Sequence, residues 1–273
     1  MGKIVLYTLT GCYLFLWGGG VGSHLLWGGT QGDTEWAAPV FLVLAALIVL
    51  WTVDPVNRAP LVVVGILGFT AELIGVHSGF PFGDYEYTST LQPQLTGVPL
   101  VMAAAWVVLV AYVNAMLTNF QLPTGLSILV AGLWMTAIDL VIDPLAVGKL
   151  GYWTWKDTGD YYGIPAQNFG GWIITSWLII GMVNLFHRRR WPPSPWARAI
   201  GLSIVLFFTF IALAHQLLMV VGIGLGLCLI HVVAETHINR VKNARLPVKT
   251  RCGLLGEEGP EDVRLRLDHR RQS

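Results

Sequence analysis

Glu72, Asp139 and Asp143 are acidic residues set inside long apolar runs of the chain. A carboxyl placed among hydrocarbon is costly to hold and therefore reads first as a functional group. Asp139 and Asp143 are four residues apart, so on a helix both carboxyls stand on one face, one above the other. Glu72 precedes the end of its own run by about seven residues, roughly 10 Å of helix. Grouped carboxyls of this kind suit proton transfer: a carboxylic acid that stays protonated when deprived of solvent can donate, and an ionised neighbour can accept. His24, His77 and His215 fall at a similar level of their runs. Plainer readings stand beside these. Glu72 can be a packing residue bonded to a neighbouring helix, Asp143 can end its helix ahead of Pro144, and the histidines can be interfacial.

Two long segments join the acidic runs, and both are dense in aromatic and turn residues. The first reads GVHSGFPFGDYEYTSTLQPQLTGVPL from Gly75, and the second IDLVIDPLAVGKLGYWTWKDTGDYYGIPAQNFGGW from Ile138. Plain connections run to about 2–6 residues, so loops of this length are usually functional. Tyr85, Tyr87, Trp153, Trp155, Tyr161, Tyr162 and Trp172 either form an interfacial belt or cap a cavity.

The elements that must position these groups are membrane helices. Of 273 residues, 54% are hydrophobic and 12% charged, which is the composition of an integral membrane protein. Runs long enough to cross about 30 Å of hydrocarbon lie at 4–27, 36–53, 59–79, 97–117, 124–146 and 168–187, and 198–235 is long enough for two. Ala214-His215-Gln216 is the polar break where the last two helices would turn. The expected fold is an all-α polytopic transmembrane bundle of about eight spans, with seven left open and both termini cytoplasmic. Eight spans put Lys3, Arg58, Arg188 to Arg190, Arg198 and the basic tail on the inner side and only Lys149 and Lys156 on the outer, as the positive-inside rule requires. Residues 1–235 then form the membrane domain, and 236–273 a charged, solvated cytoplasmic tail. Leu9 to Cys12 imitates a lipoprotein signal, but the apolar run continues to Trp27, so a first membrane helix is expected instead. A net charge of +1, with basic residues confined to loop and tail clusters, argues against nucleic acid as a partner. Cys12, Cys228 and Cys252 show no metal or disulfide spacing.

Read in order, the motifs are Glu72, Gly79 to Gly83 with Tyr85 and Tyr87, Gly97 to Leu100 with Trp106, Asp139 with Asp143-Pro144, Trp153 and Trp155, Gly159 with Tyr161 to Pro165, and Asn168 to Trp172. This succession, over residues 65–180, resembles the membrane-bound carotenoid hydratases of the CruF type, the bisanhydrobacterioruberin hydratase family. One departure is Met102 to Ala105, where the family pattern has a proline before the tryptophan. A straighter fourth helix is the expected result.

The resemblance implies a cell-membrane lyase that adds water to the terminal C=C of an acyclic carotenoid end group, giving a tertiary alcohol by acid–base chemistry without cofactor or metal. Glu72, Asp139 and Asp143 are then the expected catalytic groups, one as proton donor and another as base, with the assignment open. Tyr85, Tyr87, Trp153, Trp155, Tyr161 and Trp172 would line the polyene slot and stabilise a passing cation, and Asn168 would orient water. The bilayer supplies the substrate, and other carotenoid biosynthesis enzymes are candidate partners. Rival readings are a carotenoid cyclase or isomerase, a prenyltransferase using Asp139-x-x-x-Asp143 for Mg²⁺ and diphosphate, and a transporter. The prenyltransferase lacks a second aspartate motif, a di-iron hydroxylase lacks its histidine boxes, and no internal repeat supports a transporter.

Overall fold

The computed structural model describes residues 2–30, 34–120, 122–186 and 194–244. Within them the chain forms eight α-helices: α1 (Gly2–Trp27), α2 (Ala37–Thr52), α3 (Pro55–Ser78), α4 (Val101–Leu117), α5 (Thr124–Gly148), α6 (Ala166–Phe186), α7 (Pro195–Ala214) and α8 (Leu218–Ala244). Six of them are long and apolar enough to cross a membrane, and α2 and α4 are shorter apolar helices. The protein is an all-α, multi-pass membrane protein. A first compact unit ends at Ile230, and the described part of the second is the continuation of α8 to Ala244. The arginine run Arg188 to Arg190 and the tail from residue 245 onward lie outside the described residues.

Helix ends follow the local sequence. Asp54 caps α3 by accepting from the Val56 N–H at 3.1 Å, with Pro55 in the first turn, where no N–H is needed. Gly79 closes the same helix in the left-handed region, at φ 69°. Ser194 and Pro195 open α7 in the same way. The turn between α7 and α8 falls at His215 to Leu217, with Gln216 at φ 60°, so the long run 198–235 divides where its polar break suggested. Helix α1 runs unbroken through Cys12.

The core is built around α4, which is buried on nearly every side and packs on α2, α3, α5 and α7. An all-round apolar sequence suits that position. Close approach is made possible by glycine: a Cβ on Gly68 of α3 would collide with the Trp106 ring of α4, and one on Gly201 of α7 with the Tyr112 ring. In place of the expected proline, Met102 to Ala105 continue α4 without interruption.

Short strands tie the two long loops together. β1 (Tyr85–Tyr87) pairs antiparallel with β4 (Trp153–Trp155), in the register Tyr85 to Trp155, Glu86 to Thr154 and Tyr87 to Trp153. β2 (Gln94–Leu95) and β3 (Val98–Pro99) make a second small pair that leads into α4. Side chains alternate across a strand. The Tyr-x-Tyr and Trp-x-Trp motifs therefore present all four rings to one face of a single ribbon, while exposed Glu86 and Thr154 occupy the other.

Candidate functional site: a buried carboxyl cluster under an aromatic ribbon

Glu72, Asp139 and Asp143 are all buried, with 4%, 4% and 1% of their surface exposed. None of them faces lipid. Glu72 comes from α3 and the aspartates from α5, and the two helices are joined at the site by α6 and by the β1–β4 ribbon. Glu72 lies within electrostatic reach of both aspartates.

Each carboxyl is met by N–H or O–H donors from the loops. Glu72 Oε2 accepts from the Tyr85 hydroxyl at 2.6 Å and the Tyr87 hydroxyl at 2.9 Å. Its Oε1 accepts from the Trp106 indole N–H at 3.3 Å. Asp143 Oδ1 accepts from the Trp153 indole at 2.8 Å. The Asn168 side-chain amide bridges the aspartates, donating to Asp143 Oδ2 at 2.7 Å and to Asp139 Oδ2 at 2.9 Å. Trp155 faces Asp143, but its N–H stops short of hydrogen-bond geometry and is buried without a partner. One ribbon thus serves two acids, its tyrosines bonding the glutamate and its tryptophans facing the aspartate. Both tyrosines sit outside the spans. Burial, and then the charge of Glu72, push their phenols up, so they act as neutral donors.

The rings also pack on one another. Trp106 and Trp172 are stacked, with centroids 4.9 Å apart and planes 14° from parallel. Tyr85 meets Trp155 at 5.1 Å and Tyr87 meets Trp153 at 5.7 Å. Phe82 bridges Tyr85 and Trp172.

Tyr161 does something else. Its hydroxyl donates to the Leu140 carbonyl at 2.7 Å. Pro144 lies inside α5 and has no N–H for the carbonyl four residues before it, which is that of Leu140. Tyr161 supplies the missing donor from the loop, and the helix continues to Gly148. The reading in which Asp143 merely ends its helix is thereby overturned, because a tertiary hydrogen bond compensates the proline.

The structure thus brings Glu72, Tyr85, Tyr87, Asp139, Asp143, Trp153, Trp155 and Asn168 together, with Trp172 behind Trp106. The histidines make their bonds elsewhere. His77 Nδ1 donates to the Leu73 carbonyl of its own helix at 2.8 Å, and His24 Nδ1 and His215 Nε2 are 3.0 Å apart, joining α1 to the end of α7. Partial burial, and then the charge of Lys149, hold the His215 imidazole below its ordinary pKa. Trp106 was absent from the residues expected at the site, although it is 1% exposed and bonded to Glu72. Its signal was present: an indole N–H in the middle of an apolar helix needs an acceptor, since the helix's own carbonyls are taken.

Comparison with known proteins gives the family. The profile of a family described as carotenoid biosynthesis protein matches residues 36–233, which takes in α2 to α7 and all of the cluster. Bisanhydrobacterioruberin hydratase of Haloarcula japonica is 29% identical over 163 residues, covering 54% of this chain and 53% of that protein. The chain therefore spans about half the length of the curated relative it matches. No solved structure matches. A family profile covering most of the chain, and all of the site, makes this protein a member of the carotenoid biosynthesis protein family.

Proposed function

We propose that this protein is a carotenoid hydratase, adding water across the terminal C=C of an acyclic carotenoid end group to form a tertiary alcohol. The observation that carries the reading is the set of three buried carboxyls, five of whose six oxygens are met by neutral N–H and O–H donors. Membership of a carotenoid biosynthesis family and likeness to a protein named as a hydratase support the substrate class and the reaction.

The chemistry needs an acid, a base and a shelter for a cation. Protonation of the alkene by one carboxyl creates a tertiary carbocation. Water attacks it, and a second carboxyl, ionised, takes the proton that the water loses. The remaining negative charge and the ring faces of Tyr87, Trp153 and Trp155 stabilise the cation while it exists, each ring by about 0.5–2 kcal/mol. Nothing is oxidised or reduced, and the sum is alkene plus water giving alcohol. The donor set speaks against the prenyltransferase reading. A Mg²⁺–diphosphate site offers free oxygens to the metal, whereas here Asp143 directs both oxygens at N–H groups. A cyclase or isomerase would open with the same protonation, so product mass decides.

The test is expression in cells that accumulate an acyclic carotenoid, followed by mass spectrometry of the pigments. The expected product is heavier by one water for each end group modified. A product of unchanged mass, or activity that requires added magnesium and a prenyl diphosphate, would overturn the proposal.

A further inference from the structure

The hydrogen bonds around the three carboxyls are unequal. Both oxygens of Glu72 accept, from three donors in all. Both oxygens of Asp143 accept, from Trp153 and Asn168. Asp139 accepts through Oδ2 alone, and its Oδ1 has no hydrogen-bond partner among the described residues. A carboxylate wants donors at both oxygens, whereas a carboxylic acid needs one oxygen left over to carry its hydrogen.

We infer that Asp139 is the proton-bearing acid of the cluster, that Asp143 is its ionised partner, and that Glu72 is a fixed negative charge set by Tyr85, Tyr87 and Trp106. This deepens the hydratase reading and rests on it for the direction of the chemistry. Asn168 sets the asymmetry. Its single amide nitrogen has two hydrogens and spends one on each aspartate, leaving Asp143 fully bonded once Trp153 is added and Asp139 half bonded. Turned over, the amide would set its oxygen against both aspartates and require a proton on each. In the proposed reaction the O–H of Asp139 breaks as a C–H bond forms at the less substituted alkene carbon. Water then forms the C–O bond at the cation and yields its proton to Asp143. The pair again holds one proton, and its return from Asp143 to Asp139 restores the starting state. Glu72 neither gains nor loses a proton, so its role is to hold the cation's counter-charge. Asn168 acts through the aspartates and is a positioning residue.

The experiment is infrared spectroscopy of the full chain, purified in an ester-free detergent and labelled with ¹³C at the aspartate side-chain carboxyl. A protonated carboxyl shows a C=O stretch above the amide bands that moves in D₂O, and the label marks it as aspartate. The expected result is one such band in the parent, lost in Asp139→Asn and kept in Asp143→Asn and Glu72→Gln. Asp139→Glu covers the case in which the amide does not fold: the band should then lose its sensitivity to the aspartate label. No protonated aspartate in the parent, two of them, a band that survives Asp139→Asn, or one that vanishes in Asp143→Asn would overturn the assignment. A protein that shows the expected bands but yields no hydrated carotenoid would refute the hydratase reading and leave the proton on Asp139.

Discussion

At the scale of single residues, the aromatic side chains prove to be polar as well as apolar groups. Tyr85 and Tyr87 were expected as ring faces lining a slot, and the structure shows their hydroxyls bonded to Glu72. Replacing Tyr87 by Phe keeps the ring and removes one donor from that carboxyl. A hydrogen bond to a charged group is worth about 1.5–3 kcal/mol, so the variant should lose stability of that order, and hydration should slow by about tenfold or more because Glu72 holds its charge less well. Initial rates on membranes carrying equal amounts of protein measure this, and an unchanged rate would show that Glu72 does not need the bond. The three acids were legible in the sequence because an ionisable group in an apolar run is costly. Their partners were not, since the bonds run 10 to 34 residues along the chain, from helices into loops and neighbouring helices, and helical spacing carries no information about such pairings.

At the scale of elements, helices and their ends were read closely from apolar runs, prolines and glycines. The two-stranded ribbon was not. Its strands are three residues each, too short for a periodic signal, and its register depends on tertiary contact. The proline in α5 shows the same limit. Pro144 argues locally for a helix end, and only the Tyr161 hydroxyl, donated from a distant loop, lets the helix pass it. Packing between elements makes its own prediction. Gly68 lies against Trp106, which stacks on Trp172 and reaches Glu72. Gly68→Ala should force that indole aside, destabilising the protein by about 1–3 kcal/mol and weakening hydration together with it. Thermal unfolding in detergent is the measurement, and an unchanged midpoint would mean that α3 and α4 separate without cost.

For the molecule as a whole, the class was plain from composition, and the order of motifs over residues 65–180 pointed to the family. Sidedness follows from charge. Six helices are long enough to span and two apolar ones are shorter; eight crossings would, by the positive-inside rule, set the β1–β4 ribbon, Lys149 and Lys156 on the outer side and the start of α3 on the inner. In a variant without native cysteines, Asp157→Cys should react with a membrane-impermeant thiol reagent in intact cells, and Val56→Cys only after permeabilisation. Both positions are exposed, so the opposite labelling pattern would reverse the orientation.

The central claim is that a proton moves between buried carboxyls at one end of the bundle. Its most direct measurement is turnover of an acyclic carotenoid by the parent and by Glu72→Gln, Asp139→Asn and Asp143→Asn, each inserted in membranes to the same level. Loss of acid or base catalysis amounts to about 10²–10⁴-fold, and a fall of that size in Asp139→Asn and Asp143→Asn, with a clear fall in Glu72→Gln, is the predicted result. Three amide variants that hydrate as fast as the parent would contradict it.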